Sequence, residues 1–507
     1  MTTGPHDAEG EPVDDLPEGQ GGVDAPDEAV VRHVLDAIRG GDTPDVVPAT
    51  PSVVAFAEFL AVEAELDKRW PETVMEPSLE RIAALVDVLG EPHRGYPVVH
   101  LTGTNGKTST ARMVDALLSE IGLRTGRYTS PHLQRATERI SIDNRPVTPE
   151  RYVELYRDVL PSVGITERSL LSEQTAPAAR HGPLSKFEVL TGMGFAAFAD
   201  APVEAAVIEV GLGGRWDATN VADAAVAVIG PIGLDHAEFL GTDVLGIARE
   251  KAGIVKPGSV AVLAAQDKGV AEVLLERCVE VDAQVAREGA EFGVVSREVA
   301  IGGQRLELRG LSGTYDEIFL PLHGEHQASN AALALAAAEA LIGAGPHQRI
   351  DPDVVRAAFA AVRSPGRLER LASEPTVLVD ACHNPHGARA LAAALTSEFR
   401  FTRLVGVLGV MREKDARGIL AELEPVLTEI VVTANSSPRA MDPDELGALA
   451  TDVFGPDRVS VETSLSRAVD EARELAEEGG NSGVGVIVTG SVVTAGETRT
   501  LFGLEPA

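Results

Sequence analysis

Short runs of Val, Ile and Leu alternate along this chain with longer segments that are rich in Ala, Leu and Glu. Continuous apolar runs, with no polar residue at every second position, are typical of parallel strands that are buried on both faces. Their alternation with helical segments predicts α/β layers around a mostly parallel sheet. The runs are residues 98–101, 205–210, 226–229, 260–264, 377–379, 404–408, 430–433 and 484–489.

A late interruption of this pattern predicts a domain boundary. Gly and Pro residues flank a helix-like stretch, which stops at the Ser-Pro-Gly sequence of residues 364–366. The strand and helix pattern then restarts at Val377. We therefore predict a large α/β domain over residues 51–363 and a smaller Rossmann-like α/β domain over residues 364–507. Several Gly and alternating apolar residues within 287–320 predict a small antiparallel excursion in the first domain.

The start of the chain has a different composition. Residues 1–30 contain nine Asp or Glu, five Gly and four Pro, with no Lys or Arg. Such a segment cannot bury enough apolar surface to offset the entropy lost on ordering the chain. We therefore predict that residues 1–50 form an acidic, largely disordered tail and that the folded sequence begins near Pro51.

Charge and cysteine content narrow the possible partners. The 507 residues carry a formal net charge of −33, and so negative a surface repels nucleic acid and anionic membranes. Cys278 and Cys382 make neither a disulfide framework nor a zinc spacing, which suits a reducing compartment. No signal peptide is recognisable, and no apolar run reaches the roughly 18 residues of a membrane span. We expect a cytoplasmic protein in which any polyphosphate ligand meets a local positive field.

Residues 103–108, Gly-Thr-Asn-Gly-Lys-Thr, lie between an apolar run and an amphipathic stretch over residues 111–121. The glycines let several backbone N–H groups face one point, and the N-terminus of the following helix adds partial positive charge. Lys107 can reach the outer phosphates of a nucleotide, and the Thr108 hydroxyl can bind Mg²⁺. The spacing departs from the commonest P-loop, because the first glycine comes only three residues before the second. The first domain is therefore predicted to be a P-loop ATPase domain rather than to carry a simple glycine-rich turn.

Glu209 ends another apolar run, and ligands of parallel sheets collect outside the carboxyl ends of the strands. A carboxylate there is costly unless it meets a cation, so Mg²⁺ is its natural partner. The glycine-rich residues 211–214 permit close approach of a ligand, and Arg215 and Asp217 offer polar contacts. His236 follows a third apolar run. A lone His is more often a structural hydrogen-bonding residue, but its place at a further strand end favours a ligand.

Short motifs recur in a fixed order from about residue 75 to residue 500. One of them would be a weak signal, but their combined order and spacing are specific. Together they resemble the folylpolyglutamate synthase/dihydrofolate synthase family, within the broader Mur ligase superfamily. The motifs are GTNGKTS at 103–109, TSPHL at 129–133, ERI at 138–140, KFEVLT at 186–191, EVGLGGRWDATN at 209–220, GLDHAEFLG at 233–241, AREKAGIVKPG at 248–258, LHGEHQASNAALA at 322–334, SPGRLE at 364–369, VDACHNPHG at 379–387 and TGS at 489–491.

The resemblance implies an ATP-dependent amide ligase that adds L-glutamate to dihydropteroate, to the γ-carboxylate of (tetrahydro)folate, or to both. In this family ATP first phosphorylates the acceptor carboxylate, and the glutamate amine then attacks the acyl phosphate. The reaction requires neutralised phosphoryl charge, in-line placement of two anions and exclusion of water. The implied cofactors are ATP and two Mg²⁺ ions, with a monovalent cation as a further candidate. We expect a monomer that acts on small molecules.

By resemblance, the triphosphate lies on the glycine-rich loop and is contacted from both domains. Arg367 matches an arginine of the second domain, which can supply positive charge only in the closed state and so couples closure to chemistry. The residues implied in ATP binding are Gly103, Thr104, Asn105, Gly106, Lys107, Thr108, Asn330, Arg367, Asp380 and His383.

The resemblance also implies the metal ligands. Ser130 and Glu209 look like ligands of the first Mg²⁺, together with Thr108, and His236 looks like a ligand of the second. Lys251 matches the carbamylated lysine of the family, in which addition of CO₂ turns an amine into a carboxylate that suits Mg²⁺. From the residues alone, Lys251 is instead predicted to be an exposed helix lysine. The implied catalytic residues are Lys107, His236, Lys251 and Arg367.

Three further segments resemble the parts of the family that contact the pterin or pteroate. They lie before the glycine-rich loop, at the start of the KFEVLT motif and within the EVGLGGRWDATN motif. The residues concerned are Leu79, Glu80, Arg81, Phe187, Glu188, Trp216, Asp217 and Ala218.

Two alternative functions stay open at this point. Thr108 follows the loop lysine as in the Mur ligases, whereas many members of the resembled family have Gly there, so a UDP-muramyl peptide ligase is the second candidate. Residues 51–102 are too few for the separate UDP-sugar domain of such a ligase. The third candidate is a nucleotide-gated binding protein without chemistry, against which the presence of Glu209, His236 and Lys251 argues.

Overall fold

The computed structural model describes residues 51–70, 78–172, 183–234, 239, 241–345, 348–478, 480 and 483–506. The acidic tail predicted over residues 1–50 lies outside the described residues, and so does His236. Helix α1, Pro51–Leu66, opens the described chain. Its residues up to Ala61 fall in a compact unit distinct from residues 62–507, and within that unit Phe56 stacks on Phe59 with ring centroids 5.8 Å apart.

The first and larger sheet has eight strands in the order β4-β3-β2-β5-β1-β6-β7-β8. The six strands in the order β2-β5-β1-β6-β7-β8 are parallel to their neighbours. At one edge β3 pairs antiparallel with β2, and β4 pairs antiparallel with β3. This confirms the mostly parallel sheet that the apolar runs predict. The strands are β1 Val98–Thr102, β2 Thr125–Tyr128, β3 Ile140–Ile142, β4 Arg145–Pro146, β5 Ala205–Glu209, β6 Val226–Ile229, β7 Val260–Leu263 and β8 Gln284–Arg287.

Helices cover both faces of this sheet, as continuous apolar strands require. On one face, helix α3 packs against α8 and α9. A second layer contains α6 and α7, which pack against each other and share an apolar core with β6 and β7. The helices that follow α1 are α2 Glu80–Val88, α3 Lys107–Ile121, α4 Pro149–Ser172, α5 Lys186–Asp200, α6 Val244–Ala252, α7 Lys268–Glu280, α8 Glu325–Leu341 and α9 Pro352–Ala361.

A three-stranded antiparallel sheet follows the larger one. Its strands are β9 Gly293–Ala300, β10 Gly303–Arg309 and β11 Thr314–Leu320, with β10 in the middle. They lie within the antiparallel excursion that the sequence predicts over residues 287–320. The inward side chains of this sheet, such as Leu306 and Ile318, join the core formed by α3 and α8.

Glu339 fastens the small sheet to helix α8. It is fully buried within residues 331–341, which are otherwise apolar, yet its carboxylate accepts hydrogen bonds from the Tyr315 hydroxyl at 2.8 Å, from the backbone of Leu311 and from the backbone and hydroxyl of Ser312. A buried carboxylate is tolerated when such donors replace water. The turn between β10 and β11 is thereby held against α8.

The C-terminal α/β domain is built on a six-stranded sheet in the order β12-β13-β17-β14-β15-β16, parallel except for the edge strand β12. Helices cover both of its faces, which gives two apolar cores. Its strands are β12 Glu369–Ser373, β13 Thr376–Val379, β14 Arg403–Leu408, β15 Glu429–Val432, β16 Val459–Val461 and β17 Val484–Thr489. Its helices are α10 Pro385–Glu398, α11 Ala416–Leu423, α12 Pro443–Phe454, α13 Leu465–Glu477 and α14 Val492–Leu501.

None of the helices in the described part of the chain combines the length and the apolar composition that crossing a membrane requires.

Candidate active site

The glycine-rich loop lies where β1 ends and α3 begins, at the carboxyl edge of the larger sheet. Gly106 adopts a φ of 82° as the residue before α3, in the left-handed region that favours glycine. A Cβ at this position would lie 2.6 Å from Oδ1 of Asn330. The absence of a side chain therefore lets Asn330, on helix α8, lie directly against the loop.

Two lysines converge on one carbonyl oxygen of this loop. The Nζ atom of Lys107 donates to the Gly103 carbonyl at 3.2 Å, and Nζ of Lys251 donates to the same oxygen at 2.9 Å. Lys251 also lies 3.5 Å from the Thr102 hydroxyl. The Lys107 ammonium group, at the N-terminus of α3, supplies the local positive field that a nucleotide needs in so acidic a chain.

Lys251 itself corrects one expectation from the sequence. The residues alone predict an exposed helix lysine, and this is wrong, because Lys251 is only 4% exposed. It lies in the last turn of α6, and a Cβ on Gly214 would come within 3.1 Å of its Cα atom. The glycine-rich stretch after β5 thus packs directly on α6 and covers the lysine, an effect of tertiary packing that helix periodicity does not reveal.

Glu209 lies at the end of β5, buried beside the loop. Its two carboxylate oxygens accept from the Thr108 hydroxyl at 3.1 Å and 2.9 Å. Burial raises the pKa of Glu209, while the nearby Lys107 and the Thr108 hydroxyl act in the opposite direction. The Oγ atom of Ser130 is buried and has no hydrogen-bond partner among the described residues. This edge of the sheet therefore holds a desolvated carboxylate and an unpaired hydroxyl.

The structure describes all the metal ligands implied by the resemblance except His236. In the described part of the chain, no three His, Cys, Asp or Glu side chains gather at one point. His236 lies outside the described residues, so its place near Glu209 stays a prediction. The oxygen atoms available at the loop are the Glu209 carboxylate and the hydroxyls of Thr108 and Ser130.

The C-terminal domain contributes Arg367, Asp380 and His383 to the same region. Asp380 accepts from the backbone N–H groups of Leu368 and Cys382, both at 2.8 Å. Burial raises the pKa of Asp380, and the positive charge of Arg367 acts against this shift. His383 is oriented by a 3.0 Å hydrogen bond between its Nδ1 atom and the Ala381 carbonyl. These backbone contacts hold the segment that follows β13 in a defined conformation.

Two site residues of the C-terminal domain were missed in the sequence. Asn384 donates to Oδ1 of Asn105 at 3.1 Å, and the Asn105 amide lies 2.9 Å from Nδ1 of His386. Asn384 also caps helix α10, since its side chain accepts from the Gly387 N–H at 2.7 Å. An Asn before Pro and three residues before Gly is a cap signal that could have revealed its position.

At the other end of the region, Arg81 and Glu188 form a buried ion pair. Nε of Arg81 lies 2.9 Å from the Glu188 carboxylate, and the side chains are 4% and 6% exposed. The guanidinium also lies over the Trp70 ring, 4.7 Å from its centroid. Glu188 in turn accepts from the Ser185 N–H at 2.7 Å, which caps helix α5. The sequence analysis did not predict Trp70 as a site residue. The available signal was the rarity of tryptophan, since the chain has two.

Asp217 is fixed by a buried network that reaches into the sheet. Its carboxylate accepts from the Leu212 N–H at 2.9 Å and from the N–H and hydroxyl of Thr219 at 2.9 Å and 2.5 Å. The Thr219 hydroxyl lies 2.8 Å from Nε2 of His100 on β1. Burial raises the pKa of Asp217 and lowers the pKa of His100 to about 3. His100 is therefore neutral at pH 7, and its hydrogen bond holds the Thr219 hydroxyl in place.

One cavity of about 660 Å³ connects these groups. It brings together the glycine-rich loop, the aromatic residues Phe187 and Trp216, and the C-terminal segment around Arg367. Leu79, Glu80, Gly103 and Lys251 do not line it. The lining residues that the sequence singled out are Thr104, Asn105, Gly106, Lys107, Thr108, Ser130, Glu209, Asn330, Arg367, Asp380, His383, Arg81, Phe187, Glu188, Trp216, Asp217 and Ala218.

Two family models match this architecture. The Mur ligase middle domain matches residues 188–338, and the Mur ligase glutamate ligase domain matches residues 366–492. The first contains Glu209 and Asn330, and the second contains Arg367 and Asp380. Fold and site together thus define an ATP-dependent ligase of the Mur type.

Similarity to individual proteins identifies the family within this class of ligases. A dihydrofolate synthase/folylpolyglutamate synthase of Mycobacterium tuberculosis is 55% identical over 92% of this chain and 98% of its own length. A folylpolyglutamate synthase of Lacticaseibacillus casei is 30% identical over 83% of this chain and 94% of its own length. The chain belongs to the dihydrofolate synthase/folylpolyglutamate synthase family. The relatives support this family over the UDP-muramyl peptide ligases.

A solved structure agrees with this assignment. Folylpolyglutamate synthase of Mycobacterium tuberculosis, complexed with ADP and AMPPCP, superposes with a TM-score of 0.84 at 54% sequence identity. The match covers 89% of this chain and 100% of that one. The nucleotides in that complex support ATP as a ligand of the family.

Proposed function

We propose that this protein uses ATP to attach L-glutamate to dihydropteroate, to the γ-carboxylate of a (tetrahydro)folate, or to both, through an acyl phosphate. The observation that carries the proposal is the single cavity, in which the loop of Lys107 faces the aromatic residues Phe187 and Trp216. A carboxylate held between these two ends lies next to the phosphate it must attack. Such positioning removes much of the entropic cost of bringing two reactants together.

At the nucleotide end, the loop N–H groups and Lys107 receive the triphosphate at the N-terminus of α3. Lys107 neutralises charge that develops on the transferring phosphoryl group, and Arg367 adds positive charge from the C-terminal domain. Asn330, packed against Gly106, contacts the nucleotide from helix α8. Asp380 and His383 border the nucleotide from the segment after β13, where backbone hydrogen bonds fix them.

The residues around Glu209 fit a Mg²⁺ ion. The Ser130 hydroxyl has no partner in the described part of the chain, and the buried Glu209 carboxylate lies next to the Thr108 hydroxyl, which donates to it. We propose Glu209, Ser130 and Thr108 as the groups that hold the first ion, and His236 for a second. A bound Mg²⁺ neutralises phosphate oxygens during transfer. A monovalent cation completes the proposed set of ions.

Lys251 is proposed to carry a carbamate. Its amine lies 2.9 Å from the Gly103 carbonyl, under the loop rather than in solvent. A neutral amine at this position can add CO₂ and release one proton, which gives a carbamate whose single negative charge is shared by two oxygens. The modified side chain then supplies an oxygen ligand or orients one.

At the acceptor end, the ring faces of Trp70, Phe187 and Trp216 suit the flat pterin and aminobenzoate groups. Arg81 and Glu188 hold this wall in place, since each satisfies the other's buried charge. The acceptor carboxylate then points toward Lys107. Arg439 and Lys414 line the cavity from the C-terminal domain and suit the carboxylates of L-glutamate.

The same reasoning extends to the organisation of the chain. We propose a tail over residues 1–50, an ATP-binding domain over residues 51–363 and a glutamate-ligase domain over residues 364–507. Closure of the last domain brings Arg367 to the nucleotide and keeps water from the acyl phosphate. We propose a cytoplasmic monomer, because its substrates are small metabolites and ATP and because its two cysteines are buried and unpaired.

The test is an ADP-release assay with a panel of acceptors. Purified protein, Mg²⁺ and ATP are combined with L-glutamate and with dihydropteroate, tetrahydrofolate or a UDP-muramyl peptide. We expect ADP release that requires both L-glutamate and a pteroate or folate acceptor, with a product heavier by one glutamyl residue. Release with the UDP-muramyl peptide alone, or with no acceptor, would contradict the proposal. The same panel shows whether the protein has one activity or both.

A further inference from the structure

Leu133 joins the segment that carries Ser130 to the C-terminal domain. It lies three residues after Ser130, in the loop that follows β2, and its side chain packs against the apolar core formed by residues such as Val379 and Val488. That core belongs to the C-terminal sheet. One partly buried leucine, close in sequence to Ser130, therefore packs against the core of the C-terminal domain.

The backbone around Leu133 is equally close to the C-terminal domain. A Cβ on Gly496, in helix α14, would overlap the Leu133 carbonyl oxygen, so the helix and the loop lie in direct contact. The side chain of Gln134 donates to the Leu504 carbonyl at 2.8 Å, and Arg499 donates to the Gln134 amide oxygen. On its own side, the loop is held by Glu138, which accepts from the Leu133 N–H at 2.8 Å.

Leu133 also touches the segment that carries Arg367. A Cβ on Gly366 would lie 3.1 Å and 3.2 Å from the two methyl groups of Leu133. The Gly366 N–H donates to the Glu369 carboxylate at 2.7 Å, and the same carboxylate oxygen accepts from Nε of Arg499 at 2.9 Å. The Leu133 side chain thus lies between the backbone leading back to Ser130 and the backbone leading directly to Arg367.

We propose that Leu133 is a positioning residue, which couples the seating of the C-terminal domain to the placement of the Ser130 hydroxyl and the Arg367 guanidinium. Leucine has no chemistry of its own, so its effect passes through these two groups, which line one cavity from opposite domains. If the leucine is truncated, the segments that carry Ser130 and Arg367 lose the side chain that both of them contact. The nucleotide loop itself is left intact. The inference rests on the proposed function, because it assumes that Ser130 and Arg367 act on the transferring phosphate.

The test compares Leu133→Ala with Leu475→Ala. Leu475 is also a partly buried leucine packed against the same C-terminal core, but it lies on α13. We expect comparable losses of melting temperature, but a fall in kcat of about 100-fold for Leu133→Ala alone, the scale of a misplacement near 1 Å. Affinity for ADP should be unchanged in both variants, because β1 and α3 supply the nucleotide loop. Leu133→Met should restore most of the turnover, since it refills the volume.

A double-mutant cycle separates positioning from general loosening. In a Ser130→Ala background, Leu133→Ala should cost less than it does in the wild type, because its effect passes in part through the hydroxyl that is already missing. Full multiplicativity, or equal kcat for the Leu133 and Leu475 variants, would overturn the inference. If Leu133→Ala does not fold, Leu133→Val replaces it in the same comparisons. Failure of the wild-type protein to release ADP with any folate acceptor would instead refute the proposed function itself.

Discussion

The two ends of the cavity are held by opposite kinds of contacts. At the nucleotide end, a buried hydroxyl is left unpaired beside a buried carboxylate: Ser130 Oγ has no partner in the described part of the chain, and Glu209 accepts from the Thr108 hydroxyl. At the acceptor end, the buried charges are already satisfied. Arg81 pairs with Glu188, and Asp217 is surrounded by donors from Leu212 and Thr219.

The difference fits the ligand that we propose for each end. An incompletely paired, desolvated site gains most when charged groups enter it, because the ligand restores the missing interactions. A site whose charges are internally paired presents aromatic faces at little further electrostatic cost, and it suits a flat organic ring. Substitutions at the nucleotide end should therefore reduce turnover, whereas those at the acceptor end should also reduce the stability of the fold.

The strongest test of this contrast is Arg81→Ala. It leaves the buried Glu188 without its partner, and breaking a buried pair in this way costs about 3–5 kcal/mol of unfolding free energy. Urea unfolding at pH 7 measures the change. Arg305→Ala is the matched control, because Arg305 pairs with Glu298 on the surface and its loss should leave the unfolding midpoint almost unchanged. A midpoint shift as small as that of the control would show that the acceptor wall does not depend on the pair.

At the nucleotide end, Lys107→Ala should have the reverse profile. Loss of a positive group that faces the transferring phosphoryl group should raise the barrier by about 3–4 kcal/mol, or roughly 10²–10³-fold in kcat. The melting temperature should stay almost the same, because Lys107 is only the first residue of α3 and its ammonium makes one long hydrogen bond, to the Gly103 carbonyl. Lys268→Ala, which removes an exposed lysine of α7, provides the control for loss of charge. Near-normal turnover of the Lys107 variant at saturating ATP would remove this residue from the mechanism.

Lys251→Ala sharpens the account of the same end. We expect a loss of turnover of at least about tenfold, well beyond the roughly 0.5 kcal/mol of an ordinary surface substitution. Acetate should restore part of it by refilling an oxygen position near Mg²⁺. Lys256→Ala is the control, since that amine binds the Asn220 and Ala222 carbonyls rather than the loop. Native mass spectrometry should find the mass of CO₂ on Lys251, and an unmodified lysine in active, Mg²⁺-loaded protein would exclude the carbamate.

The last expected effect appears only at acidic pH, and it concerns the hydrogen-bond network around Asp217. Burial lowers the pKa of His100 to about 3, so below pH 6.5 the unfolded chain binds a proton there that the native protein does not. Stability should therefore fall as pH decreases from 6.5 toward 3, by up to about 1.4 kcal/mol per pH unit for one proton. His100→Gln should lack this component. Unfolding free energies of both proteins at pH 7 and pH 4.5 measure it, and identical pH slopes would show that His100 does not titrate in this way.

The nucleotide end was largely predictable from the sequence, and the acceptor end was not. The glycine-rich loop is contiguous, and apolar runs before it and before Glu209 mark strands whose ends meet at one edge of a parallel sheet. The acceptor end combines Trp70, Arg81 and Glu188, which are far apart in the chain and meet through helix packing. Short-range patterns carry no information on such pairings, whereas resemblance to a family does.

Lys251 and Leu133 both show that sequence patterns do not reveal contacts with segments that are distant in the chain. The sequence pattern predicts an exposed lysine, because helix periodicity does not include the loop that covers α6. Leu133 belongs to the TSPHL motif, yet nothing in the motif indicates that its side chain packs against the core of the C-terminal domain. In both cases the decisive contact is made by a segment distant in sequence.

The most direct test of the central claim, that ATP activates the acceptor carboxylate inside this cavity, is transfer of labelled oxygen. The acceptor is prepared with ¹⁸O in its reacting carboxylate and is incubated with ATP, Mg²⁺, L-glutamate and the wild-type protein. Attack of the carboxylate on the γ-phosphate, followed by attack of the glutamate amine, leaves one carboxylate oxygen on the released phosphate. We predict one ¹⁸O in phosphate for each amide bond formed. Phosphate without the label, at full amide yield, would contradict the account.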